Sequence, residues 1–253
     1  MPALPRLVVV GGSGRVALLF SSRAAPHFKL ASLVRSEHHS DNVRAAGAEP
    51  TLLSLEDASV DDLAASFNGA DFVLFSAGAG GKGPEERFVK VDQDGAIKVF
   101  DAIERLPEPR PYLVLVSALD TRDTTKPPPA HYTTEDIEQS NKVHKEIGPY
   151  YDAKLAADMN LKQRVKFPWT ILRPGWLLDA PATGRVTLGK TGMGAVTRED
   201  VAATLVALFR LSPAQRERAR ARALDLVQLG AGRDVPVEEA VEAAVEAGES
   251  SLE

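Results

Sequence analysis

The feature that most constrains this chain lies at its beginning. A continuous apolar run, Leu7-Val8-Val9-Val10, ends in Gly11-Gly12-Ser13-Gly14 and opens into Arg15-Val16-Ala17. A run apolar at every position, rather than at every second one, marks a strand covered on both faces. Val16, Leu19 and Phe20 then recur at helical spacing over residues 13–24, and Pro26 follows. Strand, glycine turn and helix start in this order open a βαβ unit. Glycines there let backbone N–H groups approach a pyrophosphate, whose charge sits at the positive end of the helix. The spacing is G-x-x-G-x-x-A, with Ala17 where a third small residue lets the helix pack on the strand. A tight turn with no ligand has the same appearance; the position at the head of an α/β chain favours dinucleotide binding.

The rest of the chain continues the alternation. Strands are predicted at 30–34, 51–53, 72–75, 113–116, 169–172 and 224–229. Helices are predicted around Val60, Leu63, Ala64 and Phe67, then at 89–103, 150–166, 197–211 and 237–247. Thr197 reads as the N-cap of its helix, with acids in the first turn. Parallel strands joined by right-handed crossovers follow from such an order, so the expected fold class is α/β, a doubly wound parallel sheet. Residues 121–131, with three consecutive prolines, are expected to be a surface loop. With no internal repeat and no linker, residues 1–253 read as one unit.

Composition excludes several classes. The chain has no cysteine, so disulfides, zinc-thiolate sites and thiol catalysis are ruled out. A net charge of −5 without a concentrated basic face argues against a nucleic-acid partner. No apolar run approaches the ~20 residues of a membrane span. The N-terminus lacks the order of a signal peptide, so a cytoplasmic location is expected. The five histidines show no metal-ligand spacing, and no metal site is expected. Residues 216–222 read as a solvated face. Asp92 and Asp94, two apart on a helix, do not share a face and are not read as a catalytic pair.

The end of the second strand selects the cofactor. An NAD site places an acid there to bond the ribose hydroxyls. Here the position holds Val34-Arg35-Ser36. Arg35 accepts no hydroxyl hydrogen bond but pairs with a 2′-phosphate, and Arg15 in the glycine turn is placed to reach the same group. NADP(H) is therefore expected over NAD(H). A solvated strand-end charge is the alternative for Arg35, and Glu37 stands nearby as a shifted acid.

A candidate proton donor follows the fifth strand. Tyr150 and Lys154 have the spacing Y-x-x-x-K, which puts them on one helix face. An ammonium beside a phenol lowers the phenol's pKa, so Tyr150 is expected to exchange a proton near neutral pH. Tyr151, three residues before Lys154, is the competitor. Ser117 sits just past the fifth strand, at the carboxyl end where open α/β sheets bind ligands. It is a candidate donor to a substrate carbonyl, or a hydroxyl capping the next turn.

Together, Gly11-x-x-Gly14, Val34-Arg35, the segment Ser76-Ala77-Gly78-Ala79-Gly80-Gly81, Val116-Ser117-Ala118, Tyr150-x-x-x-Lys154, Leu172-Arg173-Pro174-Gly175 and Arg198-Glu199-Asp200-Val201-Ala202 carry a family likeness. The chain resembles the atypical short-chain dehydrogenases/reductases, in particular the NAD(P)-binding, NmrA-like branch. The resemblance covers nearly the whole chain. It implies a Rossmann-like sheet of order 3-2-1-4-5-6-7 with a small C-terminal substrate-binding part. By the same resemblance Gly11, Ser13, Gly14, Arg15, Val16 and Arg35 hold the adenosine and phosphates, and Ala77 and Gly78 line the adenine-ribose side. Lys154 binds the nicotinamide ribose, Pro174 and Gly175 border the nicotinamide, and Ser117, Tyr150 and Lys154 form the catalytic set. The interval from Ser117 to Tyr150 is longer than in the main branch of the superfamily.

The function expected is an NADPH-dependent reductase acting on a carbonyl or related small-molecule acceptor. A non-catalytic NADP(H) sensor and an epimerase or dehydratase that uses the cofactor transiently are the alternatives. Residues 120–148 and 177–195 are expected to shape the substrate pocket.

Overall fold

The computed structural model describes residues 3–80, 84–230 and 232–252; Gly81 of the expected glycine-rich segment lies outside the described residues. The chain runs β1 (Arg6–Val10), α1 (Arg15–Ala24), β2 (Lys29–Val34), α2 (Ser40–Ala45), β3 (Glu49–Leu52), α3 (Val60–Phe67), β4 (Phe72–Phe75), α4 (Glu85–Phe88) and, after a π-helical turn (Val89–Asp94), α5 (Gly95–Glu104). It continues with β5 (Tyr112–Val116), α6 (Thr134–Lys162), β6 (Trp169–Pro174), β7 (Trp176–Leu178), β8 (Arg185–Gly189), β9 (Ala195–Thr197), α7 (Arg198–Arg210), α8 (Pro213–Ala219), β10 (Arg222–Val227), β11 (Val235–Pro236) and α9 (Val237–Ala247).

The main sheet has the order β11-β8-β10-β6-β5-β4-β1-β2-β3. Every pair from β3 to β10 is parallel, so the expected 3-2-1-4-5-6-7 order is present with β10 in seventh place. Beyond β10 the sheet turns antiparallel through β8 and β11. The apolar run of β1 has its reason in this layering. Leu7 and Val9 face a core that includes Phe20 of α1, Leu205 of α7 and Val241 of α9. Val8 and Val10 face the opposite core, with Phe67 of α3, Phe100 of α5 and Leu161 of α6. Each fully buried aliphatic side chain contributes about 1.5–3 kcal/mol, so both faces reward an uninterrupted apolar sequence.

Three expectations need correction. The segment 120–148 is not one loop, because α6 begins at Thr134, well before residue 150. Thr133 caps it by accepting from the Asp136 N–H while Asp136 accepts from the Thr133 N–H. Pro149 breaks the pattern only locally: Ile147 leaves helical geometry (φ −135°, ψ 36°) and the helix resumes. The helix of residues 89–103 is interrupted by the π-helical turn that ends at Asp94. The strand expected at 224–229 lies at Arg222–Val227, because its first residues pair with β6. Sequence periodicity missed α2, α8 and the short strands β7, β8, β9 and β11.

Among the described residues, no helix is long and apolar enough to cross a membrane.

Candidate active site

The glycine turn sits where β1 ends. Gly11 has φ +81°, a conformation that favours glycine, and a Cβ there would lie 2.6 Å from the Ala77 Cα. The turn after β1 and the turn after β4 are thus in direct contact, and Ser76 N–H donates to Val10 O at 3.0 Å. A Cβ on Gly12 would stand 2.4 Å from the Ser32 Cβ, so this glycine is required by packing against β2. Gly14 is the N-cap of α1, and a Cβ on it would meet Gly11 O at 3.2 Å. No side chain caps α1 and no acid occupies its first turn, unlike α3, α6 and α7. This cradle fits an anionic group such as a cofactor pyrophosphate. Ser13 is half-buried at its lip, and Val16 is buried beneath it.

The two arginines are not brought together. Arg35 is exposed at the end of β2, with only a 3.7 Å approach to Glu56 beyond β3. Arg15 pairs at 2.6 Å with Asp179, which follows β7 and also takes Arg198 at 2.6 Å. Glu56 follows β3 and Asp179 follows β7, so Arg15 is engaged with Asp179 rather than with a group shared with Arg35.

The Tyr150–Lys154 pair lies deeper in the same edge. Lys154 is buried, and its Nζ stands 5.8 Å from the centre of the Tyr150 ring. Tyr151 turns away and packs on His144, with ring centres 4.4 Å apart. The Lys154 ammonium donates to Val116 O at 3.3 Å, next to Ser117, and pairs with Asp92 at 2.9 Å. Asp92 also accepts the N–H of Ala79 at 3.0 Å. A Cβ on Gly78 would fall 2.9 Å from Asp92 and 3.8 Å from Lys154 Nζ, so only a glycine lets the turn after β4 close on this pair. Asp92 was set aside from sequence because Asp94 is not its partner. The partner that matters, Lys154, is sixty-two positions away, and the π-helical turn is the one local oddity at Asp92.

Electrostatics correct the expected titration of Tyr150, while Lys154 acts on it in the expected direction. Burial is the largest influence on Tyr150 and raises its pKa; Lys154 pulls it down, while Asp92 and Asp158 push it up, and the net is upward. The phenol therefore holds its proton at neutral pH. Burial opposes the charge on Lys154, yet Asp92, Tyr150 and Asp158 outweigh it and raise its pKa, so the ammonium is retained. Asp158, one turn beyond Lys154 on α6, is buried and raised by burial, against the pull of Arg173 and then of the nearby Ser117 hydroxyl. Arg173 on β6 clamps it with Nε at 3.0 Å and a terminal nitrogen at 2.8 Å. Ser117 Oγ is buried beside Asp158 and completes no hydrogen bond, so its hydroxyl can turn either to that carboxylate or to an acceptor atom. Pro174 and Gly175 lie at the end of β6. The backbone of Pro174 accepts from Leu119 N–H, and a Cβ on Gly175 would clash with Gly194 O at 2.2 Å.

His144 lies on α6 and is half-buried, its Nε2 3.0 Å from Asp120. Among the described residues no cluster of histidine and acidic side chains forms a metal site.

Residues 11–211 match a family described as NAD(P)H-binding. A UPF0659 protein of Schizosaccharomyces pombe is 40% identical, over 96% of each chain. An uncharacterized sugar epimerase of Bacillus subtilis, YhfK, is 31% identical over 93% of this chain and 98% of its own. Among solved structures, a candidate NAD-dependent epimerase/dehydratase from Bacillus halodurans is 27% identical. It superposes with a TM-score of 0.74 over 94% of this chain and 99% of its own.

Proposed function

The chain belongs to the NAD(P)H-binding family, a group of oxidoreductase- and epimerase-like proteins within the atypical short-chain dehydrogenase/reductase superfamily, and on that premise we propose that it is an NADP(H)-dependent reductase of a carbonyl or related small-molecule acceptor, with Tyr150 as proton donor. One observation carries this reading. A buried ammonium, Lys154, lies under the Tyr150 ring and beside the strand end that holds Ser117. The turns from β1 and β4 meet at the same edge.

The nicotinamide supplies the hydride when the cofactor is bound. The remaining roles belong to this chain. Gly11, Ser13, Gly14, Arg15 and Val16 cradle the pyrophosphate, and Arg35 pairs with the 2′-phosphate. Ala77 and Gly78 line the adenosine side, and Pro174 and Gly175 border the nicotinamide. Lys154 holds the nicotinamide ribose. Ser117 donates to the acceptor oxygen, and Tyr150 gives its proton to the same oxygen as charge develops there. A phenol kept protonated by burial is in the right state for that step. Membership of the NmrA-like branch, action of residues 1–253 as one unit, and a small molecule rather than a nucleic acid as partner belong to the same proposal.

The names of the Bacillus relatives favour a second reading, in which the cofactor is oxidised and reduced within one cycle during epimerisation. Calorimetry with NADPH and NADH, followed by a panel of quinones, aldehydes and ketones, separates the readings. A reductase consumes NADPH in proportion to product and loses its rate in Tyr150→Phe. An epimerase converts a nucleotide sugar with no net change in cofactor. Tight NADPH binding with a silent panel in both formats favours a cofactor sensor.

A further inference from the structure

Between α6, the loop after β5 and the C-terminal tail lies a cavity of about 490 Å³, a volume suited to a small metabolite. Neither Ser117, Tyr150 nor Lys154 lines it. Its floor is made by Arg173 and Asp225, neighbours on β6 and β10 and both buried. Leu155 and Met159 of α6 give it an apolar wall, and Leu252 of the C-terminal tail faces them. The loop of residues 120–132 and Lys190 form the rim; both fall within the segments expected to shape the substrate pocket, and here they enclose a cavity apart from Tyr150.

The charges are arranged for an anion. In a chain of net charge −5, the charged walls carry Arg122, Lys126, Arg173 and Lys190 against Asp120, Asp123 and Asp225. Asp120 is spent on Arg122 (2.8 Å), His144 and Tyr132. Arg173 is held by Asp158 but remains on the floor. Lys190, exposed at the rim, has no partner among the described residues, and Lys126 is exposed beside it in the lining.

We propose that this cavity is a second ligand site, separate from the cofactor site, that takes a small organic anion: an apolar body against Leu155, Met159 and Leu252, and an acidic head toward Lys126, Lys190 and Arg173. The site is wired to the chemistry. Arg173 grips Asp158, and Asp158 attracts Lys154 one helical turn away, so a head group that engages Arg173 loosens its hold on Asp158. Acid strengthens the site. Asp225 faces Arg173 from β6, the Ser251 hydroxyl from the tail, the Thr191 N–H and His131 from the loop, and burial pushes it up to about 6. Protonation of Asp225 removes repulsion for an anion.

The test uses the full chain and two fluorescent probes of one shape, anilinonaphthalene sulfonate, which is anionic, and N-phenyl-1-naphthylamine, which is neutral. The expected result is saturable binding of the sulfonate that persists at saturating NADPH and tightens several-fold from pH 8 to pH 5.5. The double variant Lys126→Glu/Lys190→Glu, at two exposed positions, should weaken the sulfonate about 10-fold or more and leave the neutral probe unchanged. Met159→Trp, which fills the wall, should weaken both. Sulfonate binding that is indifferent to the charge reversal overturns the proposal, as does its displacement by NADPH or the absence of saturable binding. Circular dichroism of each variant separates loss of the site from loss of the fold. Because the charge-reversal comparison needs no cofactor, a chain that binds no NADPH would sink the reductase reading and leave this one standing or falling on its own.

Discussion

Through the turn after β4, the charged groups assigned to the cofactor are exposed and lightly engaged; from Asp92 onward, the polar groups that matter are buried and engaged with one another. Arg35 is more than half exposed and only 3.7 Å from its acid, whereas Lys154, Asp158 and Arg173 are all nearly inaccessible. The buried set forms a ladder of alternating charge, Asp92, Lys154, Asp158, Arg173 and Asp225, that passes from the turn after β4 to the cavity lined by Arg173 and Asp225. An exposed cation exchanges a weak partner for a ligand at small cost. A buried one cannot lose a partner without exposing the rest of the ladder to an uncompensated charge. The first region should therefore fail by losing specificity alone, and the second by losing chemistry and stability together.

The largest effect is expected at Tyr150. Tyr150→Phe keeps the ring that packs edge-on against Phe88 and removes only the hydroxyl. NADPH affinity should stay close to wild type while turnover on a panel hit falls 10²–10⁴-fold. Tyr151→Phe, whose ring faces His144, is the control and should change the rate little. A rate that ignores Tyr150→Phe would remove the hydroxyl from the mechanism.

Next comes the ladder itself. Asp92→Ala leaves the Lys154 ammonium buried with Val116 O as its remaining acceptor, and should cost about 3–5 kcal/mol in urea unfolding. Asp92→Asn keeps an acceptor for the Ala79 N–H and should cost less. If both variants unfold like wild type, the contrast between the two regions fails at its centre.

Arg35→Ala tests the other side of the comparison. Loss of a charge-assisted phosphate contact, roughly 1.5–3 kcal/mol, should erase about 10- to 100-fold of preference for NADPH over NADH in calorimetry. Stability should be unchanged. A matching loss of unfolding free energy would show that this arginine, too, is structural.

The smallest effect concerns Asp225. Its folded pKa, raised from 3.8 to about 6 first by burial, means that the charged form is favoured less in the folded chain than in the unfolded one. Stability from this group is therefore greatest below pH 4 and declines as pH rises through 6. Asp225→Asn should be indistinguishable from wild type or slightly weaker at pH 4. At pH 8 it should gain on wild type by about 1–2 kcal/mol, read as the difference in Tm at the two pH values. A gap that is the same at both would mean that Asp225 keeps its charge throughout.

Some of this architecture was legible because it is local. The uninterrupted apolar run of β1 reports burial on two faces, since neighbouring residues in a strand point to opposite sides. The Thr197 cap and the Y-x-x-x-K spacing report one helical turn each, and both are where the spacing puts them. Thr133 and Asp136 carried the same local signal for the start of α6, but Pro149 drew the boundary too late. Asp200 shows the limit of a motif: the run from Arg198 to Ala202 marks a helix start. Only the fold shows that Asp200 also receives the Thr183 and Gly184 N–H groups and the Gln228 amide, tying three segments together.

From the sequence alone came the sheet class, the glycine cradle and the shared face of Tyr150 and Lys154, because each depends on residues within a few positions of one another; the strand order was implied by the family likeness. Tertiary structure decided the rest. It gave Asp92 to Lys154, turned Arg15 toward Asp179 instead of toward Arg35, left Ser117 Oγ without a completed hydrogen bond, and set Arg173 and Asp225 side by side under a cavity. These contacts join positions from 52 to 164 residues apart. No periodicity records them, because which buried charges meet is fixed by the closure of the sheet and the packing of α6 against it, and only there does burial set their pKa values.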